Sequence, residues 1–320
     1  IATTGGRDPH MLGYIVRRLL WAPVLLLIVS VIVFALGHYG PGDPVLLRFG
    51  QQYTEKDADR FRENHGLNRP VYVQYGSFVW NALHWDFGES ITLHPPRKVT
   101  DLLAPKLKAS GQLFLAASLI TIGFGVPLGF YSALKQGTWQ DPVIVSGSLI
   151  LNAMPVFMTA PLLIIAFALK LDWVDVSGWG GFFDRQIILP AIVIGIPGIA
   201  IFTRIMRSST LDVLNEDYVR TARAKGVPGY IVNYRHVARI SLIPILTLIG
   251  FSLSGLLGGA FIVELIFGVP GVGKFTLDAL FARDFPIIMA ISLIGAASLV
   301  IANLIVDILY SVTDPRIRYQ

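Results

Sequence analysis

Long apolar stretches separated by short polar ones divide this chain. Six of them are long enough to cross about 30 Å of hydrocarbon at roughly 1.5 Å per helical residue. They run over Leu19–Gly37, Ala109–Leu134, Pro142–Leu169, Gln186–Thr203, Ile240–Val263 and Pro286–Val306. Hydrocarbon offers backbone amides no water, so each is predicted as a helix rather than an open strand. Pro155 and Pro161 in the third stretch, and Pro190 and Pro197 in the fourth, are read as kinks tolerated between packed membrane helices. The expected class is an all-α membrane protein with six transmembrane helices and an extracytoplasmic insertion between the first and second.

This pattern divides the chain into five parts. Residues 1–10 are polar and read as an upstream extension or expression remnant; 11–37 form the N-terminal segment and first span. Residues 38–108 make the insertion, 109–310 a core of five spans holding a loop at 207–239, and 311–320 a tail. Arg17 and Arg18 precede the first apolar run as in a secretory leader. That run is about 19 residues, however, longer than a leader core and without a small-x-small cleavage site, so a retained helix is expected.

Composition supports the membrane reading. Hydrophobic residues make up 53% of the chain and charged residues 15%, and the mean hydropathy is +0.61. Soluble domains carry about a quarter charged residues. Cysteine is absent, which excludes disulfides and thiolate metal sites. The net charge of +5 is placed for membrane orientation rather than for nucleic acid. With the N-terminus inside, the cytoplasmic side holds Arg17, Arg18, Lys135, Arg207, Arg220, Arg223, Lys225, Arg235, Arg239, Arg316 and Arg318. The opposite short loops hold Arg185, Lys274 and Arg283, so both termini are expected in the cytoplasm. Arg97, Lys98, Lys106 and Lys108 oppose this, but they sit in a segment long enough to weaken the charge rule.

Two polar segments carry local signals. In the insertion, Thr54 with Asp57 three residues later caps a helix that Gly66 closes. Pro70 opens another through Tyr72, Tyr75, Phe78, Val79 and Leu83; its aromatic face fits packing on membrane helices or a partner as well as an ordinary surface cap. In the inner loop, Asn215 or Asp217 caps a short helix through Tyr218, Val219, Thr221, Ala222 and Ala224, with Glu216 near its positive end and Gly226 as the left-handed stop. So short a helix is unstable alone in water and needs a surface to dock on, which no soluble domain of this chain supplies. A partner-docking helix and an interfacial amphipathic helix both fit.

Other features read as structural. Gly268-Val-Pro-Gly-Val-Gly273-Lys274 matches a phosphate-loop pattern, but Phe275 replaces the magnesium-binding Ser or Thr and Pro270 interrupts it, so a turn is expected. Glu264 is costly at membrane depth and is read as holding the outer turn by pairing with Lys274 or Arg283. Asp307 is within reach of Asn303, and Gly255 with Gly259 form a small-residue pair for close helix packing. The six histidines show no metal-ligand spacing, and no Ser–His–Asp group suggests a membrane protease.

Several motifs together resemble one family. They are Met11-Leu-Gly-Tyr-Ile-Val-Arg17-Arg18, Gly40-Pro41-Gly42-Asp43-Pro44, and Gly66-Leu-Asn-Arg-Pro70 with Gln74-Tyr75. Further on come Asp217-Tyr218-Val219-Arg220-Thr221-Ala222-Arg223-Ala224-Lys225-Gly226, Glu264-Leu-Ile-Phe267-Gly-Val-Pro270-Gly271-Val-Gly273, Arg283-Asp284-Phe-Pro286 and Asp314-Pro315-Arg316-Ile-Arg318. In this order and spacing they resemble the dipeptide/oligopeptide/nickel-type permeases of ABC importers, the first of their two permease subunits. Arg220-Thr221-Ala222 stands where the general motif has Glu-Ala-Ala, the later Ile-x-Leu-Pro is replaced by His236-Val-Ala-Arg239, and Trp85 occupies the first glycine of a Gly-Asp-Leu-Gly pattern.

The resemblance implies a type I importer permease fold in a bacterial inner membrane and no catalysis in this chain. Glu216 to Gly226 would form a coupling helix on one of two separate ATPase subunits, which would hold ATP and magnesium. A second, homologous permease subunit would complete a heterodimer, and an extracytoplasmic solute-binding protein would deliver di- or oligopeptides. Relatives carry nickel complexes, glutathione or haem by the same machinery. A self-sufficient secondary transporter is disfavoured because no internal repeat and few buried carboxylates are evident. A membrane enzyme lacks a polar constellation.

Overall fold

The computed structural model describes residues 9–40, 43–51, 53–254 and 260–313. Gly255 and Gly259, the first eight residues of the extension, and the Asp314–Arg318 motif lie outside the described residues. The helices are α1 (Pro9–His38), α2 (Pro44–Phe49), α3 (Glu55–Asn64), α4 (Val71–Leu83), α5 (Val99–Leu134), α6 (Gln140–Ala153), α7 (Val156–Leu163) and α8 (Ile188–Leu214). They continue as α9 (Asp217–Ala224), α10 (Gly229–Ile231), α11 (Ala238–Ser241), α12 (Ile243–Ser254), α13 (Phe261–Phe267), α14 (Val272–Ala282) and α15 (Phe285–Thr313). π-Helical stretches extend α7 over Ile164–Lys170 and join α10 to α11 over Val232–Val237.

Four described helices are long and apolar enough to cross a membrane: Arg17–His38, Val99–Leu134, Arg185–Leu214 and Phe285–Ile305. The number is six if each of two bent pairs counts as one span. The first pair corrects the predicted third span: α6 and α7 meet at 101° instead of forming one kinked helix. Pro155 is the cause. A proline ring excludes the helical region for the residue before it, and Met154 is accordingly extended at φ −82°, ψ 118°. Pro197 stays inside α8 without breaking it.

The second bent pair, α13 and α14 at 94°, falls partly where the sequence suggested only a turn. Val272, Phe275 and Ala279 lie on one face of α14 and are all buried, which is the helical stripe that the glycines and proline just before it obscure. The predicted fifth span, Ile240–Val263, appears as α11, α12 and the start of α13, with undescribed residues between the last two.

Helix α5 is the mast of the fold, roughly 54 Å long at 1.5 Å per residue. It begins at Val99, above the predicted Ala109, and passes through three core clusters. Val99 and Leu103 pack with Phe275 and Ile287; Ala109 and Leu113 with Leu189 and Phe267; Phe130 with Met206 and Val219. Its contact with α8 uses a stripe at every fourth position: Ala109, Leu113, Ala117, Thr121, Gly125 and Gly129, all buried. Small residues let the backbones approach, and Thr203 Oγ1 donates to the Gly125 carbonyl at 3.2 Å. A β-carbon on Gly125 would sit 2.7 Å from Phe202 Cβ, and one on Gly129 would collide with the Thr203 carbonyl oxygen. Gly129→Val is therefore expected to lower stability by about 1–3 kcal/mol through overpacking, read as an earlier thermal transition of the purified protein.

The insertion forms its predicted helices. Thr54 accepts from the Asp57 N–H at 3.3 Å, and Gly66 at φ +64° closes α3. Helix α4 packs on α1: the Tyr75 and Ser30 hydroxyls lie 2.9 Å apart, and Phe34 meets Tyr75 and Phe78 ring to ring. Tyr72 and Leu83 stay exposed, so the aromatic face is only partly used. Trp85 takes φ +63°, the left-handed geometry a glycine would adopt there, at a cost of about 1–2 kcal/mol. The turn survives the substitution: Gly88 N–H donates to Asp86 Oδ1 at 3.0 Å, and Thr100 Oγ1 to the Trp85 carbonyl at 3.0 Å.

Candidate functional site

At the end of α5 remote from the insertion, α9 follows α8 directly. Helix α8 runs to Leu214, so Arg207, placed by sequence at the start of a loop, lies on a helix. Glu216 takes the N-cap position of α9 with extended backbone and no side-chain cap bond. Asn215, one of the two predicted caps, turns back instead to donate Nδ2 to the Leu211 carbonyl at 3.0 Å. The other end closes as foreseen. Gly226 at φ +75° donates to the Arg223 carbonyl (3.0 Å) and Val227 to the Ala222 carbonyl (3.2 Å), a paired left-handed stop.

One face of α9 has a seat within this chain, against the expectation that none exists. Val219 is fully buried among Phe130, Met206, Val213, Val232 and Val237, with Ala222 and Val227 at the rim. Burying such a side chain is worth about 1.5–3 kcal/mol, enough to hold an eight-residue helix that would not form alone. The opposite face is bare: Asp217, Arg220, Thr221 and Ala224 are exposed, with Arg220 Nη1 only 3.8 Å from Asp217 Oδ1. Arg223 and Lys225 flank it, also exposed. Partial burial pushes the Tyr218 phenol above its ordinary pKa, with a smaller push from the Glu216 carboxylate, so it stays a neutral donor at physiological pH.

The same end holds a polar cluster that the sequence reading missed. Asp141, at the start of α6, receives Arg207 Nε on Oδ1 and Arg207 Nη2 on Oδ2, both at 2.6 Å. Ser132 Oγ, near the end of α5, donates to Asp141 Oδ1 at 2.5 Å. A forked charge-assisted pair of this kind is among the strongest polar contacts. It ties α5, α6 and α8 together. The available hint was that Asp141 is the one acidic residue between Asp101 and Asp172, in a sequence where apolar surroundings make a lone carboxylate expensive.

Toward the other end of α5, the α13–α14 turn is built around Glu264. The side chain is fully buried. Its Oε1 accepts from Ser110 Oγ on α5 at 2.7 Å, and its Oε2 from the backbone N–H of Lys274 at 2.8 Å. Ser110 Oγ in turn accepts from the Val272 N–H at 2.8 Å. Glu264 thus holds the turn as expected, but through the main chain of Lys274; no ion pair joins it to the Lys274 or Arg283 side chain among the described residues. Gly271 and Gly273 are buried; a β-carbon on the first would collide with Glu264, and one on the second would press on Phe261 and Glu264. Pro270 is half-buried beside them, and Gly268 at φ +68° ends α13. The donors that a phosphate would need at the start of α14 are therefore taken by an internal carboxylate and a serine, which disposes of the phosphate-loop pattern.

At the far end of α14, exposed Arg283 adopts φ +54° and Asp284 N–H closes the helix on the Ala279 carbonyl at 2.9 Å. The Asp284 side chain is fully buried. Its Oδ2 accepts from Ser90 Oγ at 2.6 Å and from the Thr92 and Leu93 N–H groups at 3.0 Å each. Ser90, Thr92 and Leu93 belong to the insertion, so Asp284 joins segments about 190 positions apart.

Comparisons with known proteins cover both ends of the chain. Residues 125–319 match the family profile of binding-protein-dependent transport system inner membrane components, and residues 11–89 match the profile of the N-terminal part of such membrane components. The oligopeptide transport system permease protein AppB of Bacillus subtilis (strain 168) is 38% identical over 317 residues, which is 97% of this chain and 100% of the relative. A putative peptide transport system permease protein of Brucella abortus (strain 2308) is 36% identical over 316 residues, with 97% and 100% covered. The glutathione transport system permease protein GsiC of Escherichia coli (strain K12) is 35% identical over 310 residues, again with 97% and 100% covered.

Proposed function

The chain belongs to the family of binding-protein-dependent transport system inner membrane components, the multi-pass permease subunits of ABC transporters, and from that premise we propose that it forms one half of an import pathway for short peptides. Relatives named for oligopeptide, peptide and glutathione transport support that cargo class, glutathione being itself a tripeptide. The other half of the pathway is a second, homologous permease subunit. Two ATPase subunits hold ATP and magnesium, a solute-binding protein delivers the peptide to the insertion side, and both termini lie in the cytoplasm.

The observation that carries the coupling role is the two-faced seating of α9. Val219 fixes one face to this chain, while Asp217, Arg220, Thr221 and Ala224 leave the other exposed. A helix anchored on one side and docked on the other conveys displacement, because each contact resists rotation of the helix about its axis. Nucleotide-driven closure of the ATPases then biases two arrangements of the permease halves, which is what alternating access requires.

Reversing charge with Arg220→Glu and Arg223→Glu tests this. Both side chains are exposed, so membrane insertion and thermal stability are expected to stay as in the parent. Uptake of a labelled tripeptide by vesicles carrying the whole complex should fall at least tenfold, with ATP hydrolysis no longer responding to the loaded binding protein. Undiminished uptake would remove α9 from the coupling path.

A further inference from the structure

Helix α14 is pinned at both ends by fully buried carboxylates that belong to neighbouring elements. Glu264, on α13, occupies its N-terminus and reaches α5 through Ser110. Asp284, one residue past the left-handed stop, takes three donors from the insertion. Between the two, Val272, Phe275 and Ala279 are buried against Val99 and Leu103 of α5 and Ile287 of α15. Neither carboxylate is exposed, and each accepts main-chain N–H groups, whose positions a side-chain rotamer change cannot relax. An interior so built shifts as a unit rather than deforming gradually.

We propose that Asp284 is a positioning residue that locks the insertion onto the α14–α15 corner, so that insertion and α13–α14 hairpin move as one body in the transport cycle. This rests on the permease reading above. Asp284 suits the task because its single Oδ2 gathers the Ser90 hydroxyl and two consecutive N–H groups. Ser90 Oγ also accepts from the His94 N–H at 2.8 Å, closing the 90–94 loop on itself. The other links between the insertion and the rest are mainly apolar and non-directional: Phe87 is buried with Val272, Phe275 and Ile287, and Leu93 packs against that cluster. Tyr75 meets Ser30 through hydroxyls, and Phe34 touches the Tyr75 and Phe78 rings without a hydrogen bond. Removal of the Asp284 carboxylate would leave the buried Ser90 hydroxyl and the half-buried Thr92 and Leu93 N–H groups unpaired at one point, which loosens the loop there. The consequence is functional. Whatever engages the insertion would displace α14 and, through Glu264 and Ser110, the mast α5.

The chain lacks cysteine, which makes the test direct. Ser90→Cys with Asp284→Cys replaces the hydrogen-bonded latch by two thiols that oxidation can join. In vesicles carrying the full complex and the binding protein, the reduced variant should lose at least tenfold in tripeptide uptake while retaining binding-protein-independent ATP hydrolysis. Oxidation, with the intrachain disulfide verified by mass, should restore at least half the parental uptake. Normal uptake in the reduced form, or a disulfide form that stays blocked, overturns the proposal; the latter would mean that the contact opens during transport. If the double variant does not assemble, Ser90→Ala decides instead. It should lower uptake about threefold with hydrolysis unchanged, whereas an equal fall in both, or no fall, overturns the latch. Parental complex that takes up no peptide would count against the permease reading and leave the Asp284 comparison to be read from binding-protein-stimulated hydrolysis.

Discussion

Val219→Asp is expected to abolish transport while the chain still enters the membrane. The native side chain is fully buried among Phe130, Met206, Val213, Val232 and Val237, none of which offers a hydrogen bond to a carboxylate. An unpaired charge there costs several kcal/mol, more than the roughly 1.5–3 kcal/mol that seats the helix. Helix α9 would leave its seat rather than bury the charge. The exposed face that we propose docks on an ATPase would then have no fixed relation to α8. Uptake should drop to background, ATP hydrolysis should lose its response to the loaded binding protein, and protease cleavage after Arg220 or Arg223 should accelerate. Val219→Ile, which keeps the apolar contact, should retain most activity. Full transport by Val219→Asp would mean that the intrachain seat is irrelevant to coupling.

Arg207→Ala should give the largest loss of stability, about 3–5 kcal/mol, by leaving Asp141 buried with only the Ser132 hydroxyl. The fork to Asp141 is bidentate, with both bonds at 2.6 Å, and the Asp141 side chain is only 9% exposed, so solvent repairs little of the deficit. The double variant Asp141→Leu/Arg207→Met should recover much of the loss, because an apolar pair of similar size leaves no stranded charge. Thermal unfolding of the purified complex measures both, and the two substitutions should be strongly non-additive. If the single and double variants were equally unstable, the pair would not be what holds α5, α6 and α8 together at this end.

Much of the site was legible because it is local. Gly226 announced the left-handed stop of α9, Thr54 the start of α3, and the Gly40–Pro44, Asp217–Gly226 and Glu264–Gly273 motifs the family. Each depends on residues within one or two turns of each other, where backbone geometry follows directly from residue type. The missed features share the opposite property. Asp141 meets Arg207 across 66 positions, Ser110 meets Glu264 across 154, and Ser90 meets Asp284 across 194. Ser90, Ser110, Asp141 and Arg207 sit in no motif, and the motifs that hold Glu264 and Asp284 do not name their partners, since a polar side chain satisfied by a distant partner leaves no periodic trace.

Sequence alone determined that this chain lives in a bilayer, that it is helical there, and that one short loop carries a helix closed by Gly226. Apolar length and local stereochemistry decide those matters, because hydrocarbon leaves the backbone no other way to satisfy its amides. Only the tertiary structure decided that the third span breaks at Pro155, that α9 rests on its own chain through Val219, and that buried Glu264 and Asp284 hold the two ends of α14. Those outcomes depend on which donors and apolar faces the fold brings within reach. The cost of burying a carboxylate is the same in any sequence, but whether it is met depends on a hydroxyl or N–H arriving from far along the chain.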